Sequence, residues 1–263
     1  MKAKIIKIPK KSGGHRTIAV PRYDYKRELR MALPKLHSLA AEVCDKEIVH
    51  GFMIGKSPVT NAMAHVGYKW SACFDLADFF DTVTDDKVAP HCNRIPSACF
   101  YSMFQCKVAA QGLPTSPLVA NIAAAPMDEA IQKAVAPRGI RYTRYADDLT
   151  FSGNNEEDIP FVLQEVPKIV EAHGFKVNPK KTHVQHSKAG RRIITGVAVD
   201  ANGIHPTRAV KRKLRAAKHK KRAPQARGLE EWMKLKAPSG NPSGTKAQVT
   251  VAHSIAVQRL GLD

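Results

Sequence analysis

Acidic residues are scarce in this chain. Only 23 Asp and Glu stand against 42 Lys and Arg in 263 residues, a formal net charge of +19. That balance disfavours cationic partners and favours a polyanion such as nucleic acid, because each neutralised phosphate releases condensed counterions. Cysteine is sparse as well. The five, Cys44, Cys73, Cys92, Cys99 and Cys106, are odd in number and include no C-x-x-C pair. Zinc spacing is therefore excluded and a disulfide framework disfavoured. Reduced thiols in a cytoplasmic protein are the expectation. No apolar run approaches the ~18 residues of a membrane span. The first six residues also lack a long apolar segment, so neither a membrane contact nor a signal peptide is expected. Internal repeats are missing too. Apolar residues, at 43%, are abundant enough for one compact unit or two small subdomains sharing a core.

Residues 1–22 read as a basic strand pair: Ile5, Ile6 and Ile8, a turn at Ser12-Gly13-Gly14, then Thr17 to Val20 before Pro21. Residues 24–44 carry Leu29, Leu33, Leu36, Leu39, Ala40 and Val43 near helical spacing, with Pro34 expected to break or kink the helix. A short helical run is expected to end near His65, and Trp70 to Leu76 reads as a buried strand. Ser116-Pro117 looks like a helix start, with Ser at the cap, and Pro126 is expected to end or bend that helix. Residues 140–152 suggest a hairpin with Asp147-Asp148 near its tip. Residues 159–173 form the best amphipathic helix, capped by Asp158 and stopped by Gly174. Residues 191–205 read as a strand pair turning at 200–203. From His205 to Arg222 there are nine Lys and Arg and no acids. On a helix, Arg208, Lys211, Arg212, Arg215 and Lys218 share one face, and Val210, Leu214 and Ala217 share another. The apolar stripe favours a docked helix with an exposed basic surface over a flexible tail. Residues 223–247, rich in Pro, Gly, Ser and Lys, are expected to be loop.

Two acidic segments stand out. Phe74-Asp75-Leu76-Ala77-Asp78-Phe79-Phe80 and Tyr145-Ala146-Asp147-Asp148 set carboxylates among apolar, strand-forming residues. Buried carboxylates are costly unless neutralised. Three brought together call for cations, and two Mg²⁺ ions about 4 Å apart would also serve in-line phosphoryl displacement. Asp-Asp by itself is common in turns. The order of the surrounding motifs is what gives it weight.

Tyr-Ala-Asp-Asp at 145–148 resembles the signature of reverse transcriptases, and Phe-Asp-Leu-x-Asp-Phe-Phe at 74–80 resembles their first catalytic motif. Between them, Gln111-Gly112-Leu113-Pro114-Thr115-Ser116-Pro117 resembles their nucleotide-binding motif. Gly174 to Thr182 resembles the next palm motif. Asn61-Ala62-Met63-Ala64-His65 and Ile194-Thr195-Gly196 are similar to the Asn-Ala-x-x-His and Val-Thr-Gly elements of bacterial retron reverse transcriptases. The resemblance spans roughly residues 5–200. It departs from the family pattern in a short segment before Gln111 and in the tail after Arg222.

The resemblance implies an α+β right-hand fold. Residues 1–70, with part of 85–110, would be fingers; 71–200 the palm, an antiparallel sheet on helices; and 201–263 a small basic helical thumb and tail. It implies RNA-directed DNA polymerisation from dNTPs with two Mg²⁺ ions, for which Mn²⁺ can substitute. Asp75, Asp147 and Asp148 would be the catalytic metal ligands, with the Leu76 carbonyl completing a shell. Phe80 would be an aromatic gate against the ribose 2′-OH, or else a core residue beside Phe79. Gln111 and Gly112 would line the nucleotide. Arg16 would clamp the triphosphate, aided by Lys11 or Lys10, unless these form a plain basic surface. Lys181, or Lys180, would be the palm lysine near the pyrophosphate. Asn61, His65, Thr195, Gly196, Arg208, Lys211, Arg212 and Arg215 would contact RNA. His65 is equally readable as a core or capping histidine, and Thr195-Gly196 as a strand bend or bulge. The implied partners are a structured noncoding RNA serving as template and primer, its DNA product and an effector protein, in antiphage defence. Another defence-associated or group II intron-like reverse transcriptase, and an inactive RNA-binding scaffold, are the alternatives.

Overall fold

The computed structural model describes residues 2–9, 13–92, 100, 102–104 and 107–234. The basic N-terminal segment folds as expected: β1 (Ala3–Pro9) pairs antiparallel with β2 (His15–Pro21), with Ile6 opposite Ile18. The chain continues through α1 (Tyr23–Val43), α2 (Pro58–Met63), β3 (Trp70–Asp75), the short α3 (Asp85–Val88) and α4 (Ser116–Val135). Next come β4 (Arg141–Tyr145), β5 (Asp148–Gly153), α5 (Asp158–Ala172) and β6 (His183–His186). Strands β4-β5-β3-β6 make one antiparallel sheet in that order. Helices α4 and α5 pack on it, and α1 packs on α4.

The core is centred on this sheet. Phe74 meets Phe151 edge-on at 5.5 Å and Tyr142 stacks on Phe151 at 4.8 Å. Leu29, Leu36, Ile122, Met127, Val162 and Val166 join the same cluster. Each large apolar side chain fully buried there contributes about 1.5–3 kcal/mol.

Neither proline ends its helix. Pro34 lies inside α1 and Pro126 inside α4. Both are on exposed positions. Core residues on either side, Ala32 and Leu36 around the first and Ala124 and Met127 around the second, hold each helix through a local cost of about 3 kcal/mol. Two caps also shift by one residue. Thr115 rather than Ser116 precedes α4, and Ser116 instead donates its hydroxyl to the Ala110 carbonyl at 2.7 Å. Asp158 is the first residue of α5 rather than its cap, and it pairs with Arg138 at 2.9 Å.

A second layer follows. β7 (Arg192–Ile194), β8 (Val197–Val199) and β9 (Ile204–Pro206) form a three-stranded antiparallel sheet, where a strand pair was expected. The extra strand arises because Thr195 and Gly196, at φ 46 and 79, make a tight turn between Ile194 and Val197. Then come α6 (Arg208–His219) and α7 (Ala223–Met233). The loop expected from residue 223 is therefore helical over its first eleven residues. Pro224 falls in the first turn, where proline is tolerated. Trp232 docks into a small core with Ala62, Ile194, Val197, Val199 and Ile204, which holds α7 in place. Residues 235–263 lie outside the described residues. Among the described residues, Cys44, Cys73 and Cys92 are free thiols and no helix is long and apolar enough to cross a membrane.

Candidate active site and nucleic-acid interface

The antiparallel register of the sheet brings the acids together. Asp75 ends β3 directly opposite Asp148, which begins β5, and Ala146-Asp147 forms the turn between β4 and β5. The Leu76 N–H donates to the Asp147 carbonyl at 2.8 Å, and the Asn178 N–H to the Asp75 carbonyl at 2.7 Å. Three sequence motifs thus meet through backbone bonds alone. Asp75 is buried; Asp147 and Asp148 are half-buried. Burial first, then the charge of Asp75, pushes the Asp147 carboxyl above its usual range, while Lys181 and Arg16 oppose that rise.

Lys181 Nζ donates to Asp75 Oδ2 at 2.6 Å, and this contact is the main cause holding the ammonium above its usual pKa. Asp75, Asp148 and Lys181, with Phe74, Cys73 and His183, line a cleft of about 350 Å³. It is thus Lys181, of the two candidate lysines, whose ammonium reaches an acid of the site.

Among the described residues, no three His, Cys, Asp or Glu side chains converge as a ready-made metal site. The donor set nevertheless fits a hard divalent cation. It consists of carboxylates, and a cation would offset the burial and, after it, the neighbouring Asp75 charge that together raise the Asp147 pKa. Asp75, Asp147 and Asp148 would hold it, with the Leu76 main chain beside them.

The structure separates the adjacent phenylalanines. Phe79 is buried in the core, whereas Phe80 is half-exposed, with Phe52 6.4 Å away. Gly112, at φ 101, lies against β2. A Cβ there would sit 2.4 Å from the Ala19 carbonyl oxygen, so packing against the chain itself requires this glycine. The Gln111 carbonyl accepts from the Ala19 N–H at 2.8 Å, which fastens the Gln-Gly segment to the N-terminal hairpin. Arg16, on β2, is near enough to Asp147 to lower its pKa. Lys10 and Lys11 lie outside the described residues.

Two of the expected RNA contacts are interior, and that expectation is corrected. His65 is 0% exposed, with Nδ1 2.9 Å from Ser152 Oγ and Nε2 2.7 Å from Thr143 Oγ1. Asn61 is also 0% exposed, and its Nδ2 donates to Thr195 Oγ1 at 3.4 Å. So placed, neither can touch a ligand. They join α2 to the sheet and to the Thr195-Gly196 turn, which is itself half-buried. Arg192 completes this joint, donating to Ser71 Oγ at 2.6 Å and to the His65 carbonyl at 2.7 Å. The α6 helix behaves as expected. Its Thr207 cap accepts from the Val210 N–H, Ala217 faces inward, and Arg208, Lys211, Arg212 and Arg215 line an open groove of about 460 Å³.

Arg144, Asp128 and Asn121, not anticipated from the sequence, form a buried polar cluster behind the Asp147 turn. The available signal was a charged or amide side chain on an apolar stripe, as Asp128 is between Met127 and Ile131.

Residues 8–223 match the family described as reverse transcriptase (RNA-dependent DNA polymerase), so the likeness runs past residue 200 to include α6. The Mx162 retron reverse transcriptase of Myxococcus xanthus is 31% identical over 82% of this chain and 52% of its own length. The Ec86 retron reverse transcriptase of Escherichia coli is 30% identical over 73% and 59%. The chain thus spans about half the length of the curated relatives it matches. Among solved structures, telomerase of Candida tropicalis bound to a fragment of telomeric RNA aligns with a TM-score of 0.57 at 14% identity, over 98% of this chain and 49% of that one. The apo form of the same telomerase, truncated, also gives 0.57, over 78% and 55%. These likenesses give the fold, a right-hand polymerase fold of helices and antiparallel sheets. The chain belongs to the reverse transcriptase (RNA-dependent DNA polymerase) family and is similar to its retron-type members.

Proposed function

We propose that the protein is a retron-type, RNA-directed DNA polymerase that copies part of a structured noncoding RNA into DNA. The observation that carries this reading is the register of Asp75 against Asp148, with Asp147 in the intervening turn and Lys181 on the cleft wall. Two Mg²⁺ ions, when bound, would lower the pKa of the attacking primer hydroxyl and neutralise the leaving pyrophosphate. The residues of the chain would do the rest. Asp75 and Asp147 hold the reacting groups in line, with Asp148 as the third carboxylate. Arg16, which bears electrostatically on Asp147, receives the triphosphate, and its guanidinium fork suits paired phosphate oxygens. Lys181 leaves Asp75 and gives a proton to the departing pyrophosphate. Gln111 and Gly112 form the nucleotide-facing ledge against β2, and Phe80 packs under C2′, where a ribose hydroxyl would clash.

We read residues 1–70 and part of 85–110 as fingers, 71–200 as palm and 201–263 as thumb and tail. The exposed face of Arg208, Lys211, Arg212 and Arg215 grips backbone phosphates, and Thr195 and Gly196, half-buried at the palm–thumb joint, are read as further RNA contacts. A role in antiphage defence with an effector protein goes with the retron reading. The test is to purify the protein from its native host and sequence the copurifying nucleic acid. A 2′,5′-branched RNA–DNA hybrid is expected. Nucleic-acid-free protein that still polymerises would assign it instead to another kind of bacterial reverse transcriptase.

A further inference from the structure

The turn that carries Asp147 is held from behind by a buried cation. Arg144 is 0% exposed. Its Nε donates to Asp128 Oδ1 and Oδ2 at 2.9 and 3.0 Å, and Nη2 donates to Oδ2 at 2.8 Å. Nη1 donates to Asn121 Oδ1 at 2.9 Å and to the Ala146 carbonyl at 3.2 Å. Asn121 in turn donates its amide to the Gly51 carbonyl at 2.8 Å. Gly51 lies so close beneath the turn that a Cβ would stand 2.4 Å from the Ala146 nitrogen. Ala146 has φ 57, a left-handed conformation that a β-carbon disfavours and that persists only where the surroundings impose it. The Arg144 main chain is pinned as well: its N–H donates to the Ile48 carbonyl, and its carbonyl accepts from the His50 N–H, both at 2.8 Å.

A buried ion pair is by itself a poor stabilising device, since the desolvation of both charges cancels much of their attraction. Apolar side chains of similar size would fill the same space, at the cost of the bond the buried Tyr142 hydroxyl donates to Asp128 Oδ1 at 2.7 Å. Packing leaves two features unexplained. One is a guanidinium donor committed to the carbonyl immediately before Asp147. The other is an asparagine tying that guanidinium to the loop under the turn.

We propose that Arg144 is a positioning residue which, with Asp128 and Asn121, fixes the Ala146–Asp147 peptide so that the Asp147 carboxylate faces Asp75 before nucleotide and cation arrive. The proposal rests on Asp147 being a catalytic acid. Arg144 touches no substrate and acts only through the Ala146 carbonyl.

The test compares the parent with Arg144→Lys and with the double variant Arg144→Met, Asp128→Leu. The lysine keeps a charge against Asp128 but cannot also reach Asn121 and Ala146. The double variant replaces the ion pair with apolar volume. Both are expected to bind RNA as the parent does. The turnover number for dNTP incorporation should fall by about tenfold to a hundredfold with an unchanged KM for dNTP, as misplacement of a catalytic group would give. The Mg²⁺ concentration for half-maximal rate should rise, and hydrogen exchange at the amides of residues 146–148 should accelerate. If the double variant fails to fold, Arg144→Lys decides by the same measurements. A folded variant with parental turnover, Mg²⁺ requirement and exchange overturns the proposal. So does a variant whose only change is a lower melting temperature. Asp147→Ala serves as control. If it polymerises at the parental rate, the catalytic reading itself has failed; if it is inactive while the Arg144 variants are unaffected, only the positioning role has.

Discussion

Lowering the pH from 7 to 5 should destabilise this fold through two interior histidines, by about 2 kcal/mol from His50 alone. Burial first, then the cations Arg141 and Arg192, hold the His65 imidazole well below the usual histidine range. Burial first, then Lys56, pushes His50 down to about 4. In the unfolded chain both return to about 6.5. Because the folded values are the lower ones, the native state binds fewer protons. The associated stability is complete above pH 6.5 and is lost as the pH falls below it, down to about 4 for His50. His50 contributes about 1.4 kcal/mol per pH unit in that window, so it alone removes roughly 2 kcal/mol between pH 6.5 and 5, and His65 adds a loss of the same sign. That is a large share of the ~5–15 kcal/mol typical of a native domain. Asp200, held down at about 2, loses its own contribution only below the ordinary carboxylate range and does not overlap. Urea unfolding at pH 7, 6 and 5 measures the slope. Replacing both histidines by glutamine should flatten it, by nearly one proton near pH 5 through His50 alone. Equal slopes in parent and variant would refute the reasoning.

Three further outcomes are expected. Phe80→Val should raise ribonucleotide incorporation relative to deoxynucleotide by tenfold or more, a size set by relief of a steric clash; competition assays read the ratio, and no change would remove Phe80 from sugar selection. Replacing Arg208, Lys211, Arg212 and Arg215 together by alanine should lower the slope of log affinity for RNA against log salt by about 3, near 0.7–0.9 for each phosphate left without its cation. An unaltered slope in an anisotropy titration would mean that this helix faces something other than nucleic acid. Gly112→Ala would set a Cβ 2.4 Å from the Ala19 carbonyl at φ 101, and should cost about 1–3 kcal/mol in a thermal melt; a melt matching the parent's would show that the Gln-Gly segment is free to shift.

Local patterns carried much of this architecture. The alternation through residues 140–152 is enough to set a hairpin with the acids at its tip, and the 3.6-residue stripe of α5 and the split faces of α6 are equally local. Features decided at long range were illegible. Pro34 and Pro126 signal helix ends, and only Leu36 and Met127, buried against distant elements, explain why those helices continue. The helix at Ala223–Met233 depends on Trp232 finding Ala62 and Val197. His65 and a ligand-binding histidine look the same in sequence; its partners, Thr143 and Ser152, are 78 and 87 residues away. The acids themselves were legible because four motifs occur in order. The cluster behind them was not, since Arg144 reads as one more basic residue in a basic chain.

The most direct measurement is extension of a primer on an RNA template with dNTPs and Mg²⁺, comparing the parent with Asp147→Ala and Asp75→Ala. The account predicts Mg²⁺-dependent DNA synthesis by the parent and, as loss of a metal-holding carboxylate requires, none detectable by either variant. Variants that extend the primer as well as the parent would contradict the assignment of these acids, and a folded parent that binds RNA but never extends a primer would make the protein an RNA-binding scaffold instead.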